Sequence, residues 1–274
     1  GNYKVAKLNP IILQEYVNDL VDEGLSPRYV EYLTTILHGA LESAKKWKII
    51  SYNPLTDVER PRPRRKEYKV WSVEELNQFL NVAKNVDKLI YTLISVAVKT
   101  GMRRGEILSL MWEDINFDEM SISVSRSLMY GIGGFKFTTP KTESSIRTIY
   151  FGESLLHDLK SWKAEQNKIK MALRNKYDDK GLVFANEKGN TLDPRTITYK
   201  FDKLIELSGV SKIRFHDLRH TYATLCLESG MSLKEVQENL GHKSIKTTGD
   251  IYAKVTENMK KRSSHLFDEY IKKI

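Results

Sequence analysis

Four short polar segments between residues 100 and 252 constrain the fold of this chain more than any other feature. They are Thr100-Gly101-Met102-Arg103, His216-Asp217-Leu218-Arg219, Leu240-Gly241-His242 and, ten residues past His242, Tyr252. Guanidinium and imidazole donors can neutralise a phosphodiester while a phenol oxygen attacks its phosphorus. We therefore expect a fold that brings these distant segments together around one backbone phosphate.

The length and charge of the chain indicate a folded two-domain protein with a polyanionic partner. With 274 residues, of which 41% are hydrophobic, it can bury two unequal cores. Its net charge of +9 favours nucleic acid as that partner, because lysine and arginine release condensed counterions when they meet phosphates. Charge alone is weak support, since a basic surface can also be merely solvated.

Cysteine usage and hydropathy indicate a cytoplasmic protein. The single cysteine, Cys226, excludes an internal disulfide and a cysteine-based zinc site. Between Leu225 and Leu227 it is predicted to be a small buried apolar side chain. The sequence has no run of about 18 apolar residues and no signal peptide, so neither membrane insertion nor secretion is expected. The chain begins with Gly1 rather than methionine, from which we expect further sequence upstream.

Residues 1–58 are predicted to form a helical domain. Asn9-Pro10 and Ser26-Pro27 each place a capping side chain before a proline at the first helical position, so two helices should begin there. Helical spacing predicts two buried stripes. These are Ile12, Tyr16 and Leu20 in the first helix, and Tyr29, Leu33, Ile36, Leu37, Leu41 and Ala44 in the second.

Residues 59–70 are predicted to be a basic interdomain linker. The segment has two prolines, dense positive charge and no apolar periodicity, which is typical of extended chain. An extended basic linker of this kind can follow the phosphate backbone of DNA. A solvated hinge between the two domains is a nearly equal interpretation. The candidate DNA contacts in this segment are Arg60, Arg62, Arg64, Arg65 and Lys66.

Residues 71–274 are predicted to form a mainly α domain with a small antiparallel β-sheet. Ser72 and Glu75 have the spacing of a capping box at the first helix. Helical periodicity follows at residues 89–98 and 104–110, and it returns from residue 155. Between these stretches, short alternating runs at 121–124 and 146–149 predict two strands.

The spacing of arginine and histidine predicts a phosphate site. His216 and Arg219, three residues apart at a predicted helix start, should project from one face with Cβ atoms about 5–6 Å apart. Arg103 follows a predicted turn that opens another helix, where backbone N–H groups and the helix dipole favour an anion. Two guanidinium forks could hold both non-bridging oxygens. Glu106, one turn beyond Arg103, is most simply predicted to orient Arg103, and the alternative is an ordinary helix charge pair.

These motifs resemble those of the tyrosine recombinases of the phage integrase family. The likeness rests on residues 100–106, 216–221, 240–242 and 247–252, in that order, and covers roughly residues 70–260. It implies an N-terminal helical core-binding domain followed by an α+β catalytic domain. No cofactor or metal is expected, because the chain lacks a Walker-type loop and carboxylates at metal-ligand spacing.

The resemblance also implies a role for each polar residue of the motifs. Tyr252 would be the nucleophile, and its phenol, with an ordinary pKa of about 10, would need nearby positive charge and a proton acceptor such as His216. Tyr222 is the rival tyrosine, but it is predicted to pack in the core. The full candidate set is Arg103, Lys141, His216, Arg219, His242 and Tyr252 as catalytic residues, with Glu106 and His220 in support.

Lys141 and His242 have alternatives. The family places a lysine in a β-hairpin turn, where it acts as general acid on the leaving 5′ oxygen; Lys141 fits this place, and Lys136 is the other candidate. His242 follows Gly241, a predicted helix C-cap, and would donate to the scissile phosphate. A histidine at a helix end can also simply compensate the helix dipole.

The reaction implied is cleavage and rejoining of double-stranded DNA through a 3′-phosphotyrosyl intermediate. The family resemblance further implies integration or excision of a mobile element by a homo-oligomer, in this case a tetramer on synapsed DNA, with accessory DNA-bending proteins. Residues 256–274 are expected to dock on a neighbouring protomer or to fold back on their own domain.

Two other functions use the same sequence features. A type IB topoisomerase would need the same side chains without synapsis. A non-catalytic regulator would use residues 232–252 as a helix-turn-helix, but it has no use for Arg103 or the His216–Arg219 pair.

Overall fold

The structure of the protein is a computed structural model that describes residues 3–63, 69–131, 134–139 and 146–241. The chain divides into two compact units, Gly1–Glu67 and Tyr68–Ile274, and each is described by itself. Across the described ranges, no helix combines the length and apolar composition that a bilayer span requires.

The N-terminal unit contains two α-helices that start at the predicted caps. After a short 3-10 turn at Val5–Lys7, helix α1 covers Pro10–Asp22 and helix α2 covers Pro27–Lys46. The Asn9 side chain accepts from the N–H of Ile12, and the Ser26 side chain accepts from the N–H of Tyr29. A second 3-10 turn, Pro54–Asp57, packs against both helices.

The buried stripe of α1 shares Leu20 with the predicted stripe, but its other two residues are each shifted by one position along the chain. Leu13, Val17 and Leu20 are buried, whereas Ile12 is half-buried and Tyr16 is exposed. Both sets have helical spacing, so periodicity alone could not choose between them. The prediction for Ile12 and Tyr16 was wrong, and that for Leu20 is confirmed.

Helix α2 buries a narrower stripe than predicted. Leu41 and Ala44 are buried as expected, but Tyr29 and Ile36 are about half exposed, at 49% and 55%. The small core of this unit has room for one stripe per helix, and the side chains that flank it stay outside. The core of the unit consists of Leu13, Val17, Leu20, Val30, Leu41, Leu55 and Val58.

The C-terminal unit is mostly helical. Its first helix, α3, begins at the predicted capping box, in which the Ser72 side chain and that of Glu75 each bond the other's backbone N–H. The helices are α3 Val73–Val86, α4 Lys88–Thr100, α5 Arg104–Leu108, α6 Glu153–Leu173, α7 Pro194–Ser208, α8 Asp217–Ser229 and α9 Leu233–Leu240.

Two small antiparallel sheets interrupt the helices. The first has the strand order β1-β2-β5 and contains both predicted strands, with Ser121 opposite Tyr150 and Val124 opposite Arg147. The second is a hairpin that the sequence analysis did not identify. The strands are β1 Ile115–Asn116, β2 Ser121–Val124, β3 Ser127–Gly131, β4 Gly134–Thr138 and β5 Arg147–Tyr150.

Helix α4 is the central element of this unit. Most of its residues are buried, and it packs against α3, α6 and α8. A helix that is apolar around its whole circumference belongs in the interior. Because neighbours fix α4 on several sides, its C-terminal end at Gly101 is a rigid point from which a site can be built.

Candidate active site

Gly101 ends α4 and directs the chain towards Arg103. Its φ of 65° lies in the left-handed region, which glycine adopts without strain. A Cβ atom there would also overlap the Tyr222 ring and the Leu240 side chain. Glycine therefore allows α4, α8 and α9 to meet closely at this point, with Arg103 at the N-cap of α5.

Glu106 is a buried carboxylate held by two arginines. Its Oε1 accepts from Arg103 Nη1 at 2.8 Å and Arg147 Nη1 at 3.2 Å; its Oε2 accepts from the Arg103 backbone N–H at 2.8 Å and Arg147 Nη2 at 2.9 Å. Burial would raise the pKa of Glu106, but the hydrogen bonds and charge of Arg147, with those of Arg103, outweigh it and lower that pKa. Glu106 is thus an anion that fixes Arg103, a contact that fits both the predicted orienting role and the alternative of a helix charge pair.

The start of α5 was expected to favour an external anion through its backbone N–H groups, and this stays a prediction. The N–H of Arg103, the N-cap residue, donates to Glu106 within the chain. The Arg103 side chain is 38% exposed.

Arg219 lies in the first turn of α8 and is buried. Its Nη1 donates to the Gly101 carbonyl at 2.6 Å and its Nη2 to the Leu240 carbonyl. Burial, with the nearby Arg103 charge, lowers the pKa of Arg219 to about 9. The group is still a cation at neutral pH, and an anion beside it would be strongly favoured.

Three arginine side chains approach three successive backbone carbonyls at the C-terminal end of α9. Arg147 Nε donates to the Asn239 carbonyl at 2.7 Å, Arg219 donates to that of Leu240, and Arg103 Nη2 lies 3.5 Å from that of Gly241. The last carbonyls of a helix lack intrahelical partners and carry the negative end of its dipole. The predicted C-cap at Gly241 is confirmed by its φ of 63°.

We call the four side chains Arg103, Glu106, Arg147 and Arg219 the arginine cluster. It contains three guanidinium groups and one carboxylate, so two positive charges in it are not offset by Glu106. Surplus charge in a desolvated place is unfavourable unless an anion joins it. A phosphate diester is an anion of the size and geometry that guanidinium forks bind.

His216 and His220 lie beside Arg219 on the same helix. The His216 residue is the N-cap of α8, and its ring meets that of His220 edge to face at 5.5 Å between centroids. Burial and the charge of Arg219 lower the pKa of His216; burial and the neighbouring His216 lower the pKa of His220 to about 4. Both imidazoles are therefore neutral at pH 7, and His216 can accept a proton.

Tyr222 is buried, as predicted. Its hydroxyl accepts from Asn239 Nδ2 at 3.1 Å, and burial is the main cause that raises its pKa. A phenol whose ionisation is disfavoured is a poor nucleophile. Cys226 is half-buried rather than fully buried and packs with Tyr222 against α9.

Several predicted residues fall outside the described ranges. These are Lys141, His242, Tyr252, Arg64, Arg65 and Lys66. Of the others, Lys136 is exposed on β4, and Arg60 and Arg62 are exposed in the N-terminal unit. The structure thus brings Arg103, Glu106, His216, Arg219 and His220 into one region of the C-terminal unit.

Arg147 is the member of this region that the sequence analysis missed. It opens β5, and its side chain is only 7% exposed. The sequence offered one weak signal for Arg147, a charged residue at the start of a predicted strand. Such residues are common on strand edges, so this signal did not point to the site. Its partners are 41 and 92 residues away along the chain, so its role emerges only from the fold.

Comparison with known proteins agrees with this geometry. The model of the "Phage integrase family" matches residues 69–259. The chain belongs to the phage integrase family. This family member is 30% identical to the ICEBs1 integrase of Bacillus subtilis over 270 residues, covering 97% of this chain and 72% of that protein. It is 32% identical to a XerC-like tyrosine recombinase of Caldanaerobacter subterraneus subsp. tengcongensis, over 94% of this chain and 70% of that protein.

Solved structures share the fold of this family member. The Tn1549 transposon integrase in complex with transposon right-end DNA superposes with a TM-score of 0.79 at 21% identity, covering 98% of this chain and 88% of that one. The XerH recombinase bound to palindromic difH substrate superposes with a TM-score of 0.70 at 23% identity, covering 96% and 73%. The expected mainly α architecture with small antiparallel sheets is confirmed.

Proposed function

We propose that this chain is a site-specific DNA recombinase that cuts and rejoins strands through a covalent 3′-phosphotyrosyl intermediate, with Tyr252 as the nucleophile. The observation that carries the proposal is the arginine cluster. Arg103 and Arg219 come from helices more than a hundred residues apart, yet both reach the end of α9 with surplus positive charge. Such preorganised cations stabilise charge that develops on a phosphate during displacement.

The chemistry divides among the motif residues as follows. The Tyr252 oxygen forms a bond to phosphorus while the bond to the 5′ oxygen breaks. Neutral His216 takes the phenol proton, and Lys141 gives a proton to the leaving oxygen. Arg103 and Arg219 hold the non-bridging oxygens, His242 donates a further hydrogen bond, and Glu106 and His220 support this set. Attack by the 5′ hydroxyl of another strand reverses the step, so the number of phosphodiesters is conserved.

The N-terminal unit and the basic segment after it serve to hold DNA in this proposal. Residues 1–58 would be the core-binding domain, 59–70 the linker and 71–274 the catalytic domain with its tail. Arg60 and Arg62 are exposed, and together with Arg64, Arg65 and Lys66 they would follow the phosphate backbone. Contacts of this kind position the duplex and weaken steeply with salt.

The names of the relatives support a role with mobile elements. Proteins named integrases of the element ICEBs1 and of Staphylococcus phage L54a are among them. We therefore propose that this chain integrates or excises a mobile element, and we further propose that it acts as a tetramer on two synapsed duplexes in the bacterial cytoplasm. Accessory DNA-bending proteins would assist, because bending a site of 20–30 base pairs costs about 1–6 kcal/mol.

The test is covalent trapping on a nicked suicide duplex, followed by denaturing electrophoresis. The unaltered chain should give a retarded protein–DNA band, and peptide mapping of that band should identify Tyr252. Tyr252→Phe should bind the duplex yet give no band, whereas the matched change Tyr222→Phe should keep it. An adduct that survives Tyr252→Phe contradicts the nucleophile assignment, and a lack of any band with the unaltered chain contradicts the function. Relaxation of supercoils without partner-strand exchange would instead identify a topoisomerase.

A further inference from the structure

Arg147 is hydrogen-bonded to two separate parts of the candidate site. Three of its nitrogens donate: two to the carboxylate of Glu106, and Nε to the Asn239 carbonyl. The side chain is 7% exposed, and Nε and both Nη atoms each donate within the chain. Its partners among the described residues include Glu106, which fixes Arg103, and the end of α9.

The charge of Arg147 matters as much as its hydrogen bonds. Without it, Glu106 would face only Arg103, and a single buried carboxylate beside a single guanidinium forms a neutral pair. With Arg147 present, Glu106 is shared, and the Arg103 guanidinium keeps net positive charge for a ligand. Arg147 thus allows the Glu106 carboxylate to orient Arg103 without neutralising the positive charge of Arg103.

Its geometry joins two parts of the site. The planar guanidinium donates in a fork to both oxygens of Glu106, which fixes the carboxylate plane. From the same group, Nε reaches α9 one carbonyl before the one that Arg219 bonds. A shift of Arg147 would therefore move Arg103 and the α9 end relative to each other.

We propose that Arg147 is a positioning residue for strand cleavage, which holds Glu106, and through it Arg103, against the C-terminal end of α9. This inference rests on the proposed recombinase function. Arg147 acts through Glu106 and Arg103, so its removal lowers the rate of cleavage far more than it lowers DNA affinity. Misplacement of a catalytic group by about 1 Å can lower a rate by roughly 100-fold, and we expect a loss of that order.

The first experiment measures the single-turnover rate of adduct formation on the suicide duplex, together with DNA affinity and melting temperature. Arg147→Met should lower the rate about 100-fold and lower DNA affinity by a much smaller factor. Arg147→Lys keeps the charge but loses the fork, so it should restore only a small part of the rate. Arg126→Met is the matched control, because Arg126 also bonds carboxylates, at 2.8 Å to Asp114 and 3.2 Å to Glu113; it should cleave near the unaltered rate.

The second experiment separates positioning from a general loss of structure. Both Arg147 variants are combined with Arg103→Ala, and the fold-loss from each Arg147 change is compared in the two backgrounds. If Arg147 acts through Arg103, its effect should nearly vanish when Arg103 is already absent. An equal fold-loss in both backgrounds, or full activity of Arg147→Lys, overturns the proposal. A lack of adduct in the unaltered chain would instead overturn the recombinase function, so the two failures are distinct.

Discussion

One buried charged cluster lies along α4 and another lies beyond its C-terminal end, and the two differ in the balance of positive and negative charge. In the Asp158 cluster, the Asp158 carboxylate accepts from Tyr91 at 2.9 Å, Ser95 at 2.6 Å and Lys99 at 2.8 Å. One anion meets one cation and two neutral donors. In the arginine cluster, Arg103 and Arg147 share the carboxylate of Glu106, and the Arg219 guanidinium donates to the backbone carbonyls of Gly101 and Leu240.

The difference indicates that the Asp158 cluster contributes to stability and the arginine cluster to function. Burial would raise the pKa of Asp158, but hydrogen bonds from Lys99, Ser95 and Tyr91 outweigh it and lower that pKa. The Asp158 cluster is therefore satisfied within the chain and ties α4 to α6. Within the described residues, the arginine cluster has two positive charges that Glu106 does not offset, and unbalanced buried charge of this kind is typical of functional sites. Four predictions can break or sharpen this contrast.

The largest effect is expected for Arg219→Met in the arginine cluster. Arg219 is one of two cations assigned to the transition-state charge, and loss of one such donor lowers a rate by about 100- to 1,000-fold. The measurement is the single-turnover rate of adduct formation, with circular dichroism to verify folding and Arg126→Met as the control. Cleavage near the unaltered rate would remove the arginine cluster from the reaction.

Asp158→Asn should show the opposite profile, with lost stability and retained chemistry. The change leaves Lys99 without a charged partner, and breaking a buried pair costs about 3–5 kcal/mol. Lys99 is 27% exposed, so we expect about 2–3 kcal/mol less free energy of unfolding in urea titrations. Well below its melting temperature, the variant should form adduct normally.

Asp179→Asn is the matched control for that change. Its carboxylate pairs with Lys170 at 2.9 Å but is 51% exposed, and exposed pairs contribute about 0–1 kcal/mol. If folded Asp158→Asn lost cleavage as Arg219→Met does, the distinction between the two clusters would fail.

Local signals in the sequence predicted much of the fold, and together with the motif resemblance they named the described members of the candidate site other than Arg147. The caps at Asn9, Ser26 and Ser72 act over three residues, so they can be identified without tertiary information. The glycine at 241 ends its helix for an equally local reason. His216 and Arg219 were predicted to share a helix start, and α8 places them there.

The remainder depends on contacts between distant segments. Arg147 has its partners in α5 and α9, and no spacing rule connects these positions. The hairpin of β3 and β4 was missed because its apolar side chains are largely exposed, whereas a search for alternation assumes one buried face. The choice between Ile12 and Leu13 on α1 failed for a related reason, since only packing against α2 decides it.

A smaller effect is expected from anion binding to the folded chain. Inorganic phosphate at several times its dissociation constant should raise the free energy of unfolding by about 1 kcal/mol, relative to chloride at equal ionic strength. Asp158→Asn should keep this response, and Arg219→Met should lose it, because of the two clusters the arginine cluster is the one with surplus positive charge. Equal responses in both variants would show that phosphate acts elsewhere on this basic surface.

The smallest effect concerns His220 and the dependence of stability on pH. Burial, with the neighbouring His216, lowers the pKa of His220 from 6.5 to about 4. Between these values the unfolded chain binds a proton that the folded chain does not, so stability rises with pH across this window and is lost as the pH falls. His220→Gln removes this contribution and should flatten the profile between about pH 6.5 and 4 in urea titrations. His157→Gln, which changes a histidine with 78% side-chain exposure, should keep the slope of the unaltered chain. Parallel profiles for His220→Gln and the unaltered chain would mean that burial beside His216 and Arg219 does not keep His220 neutral.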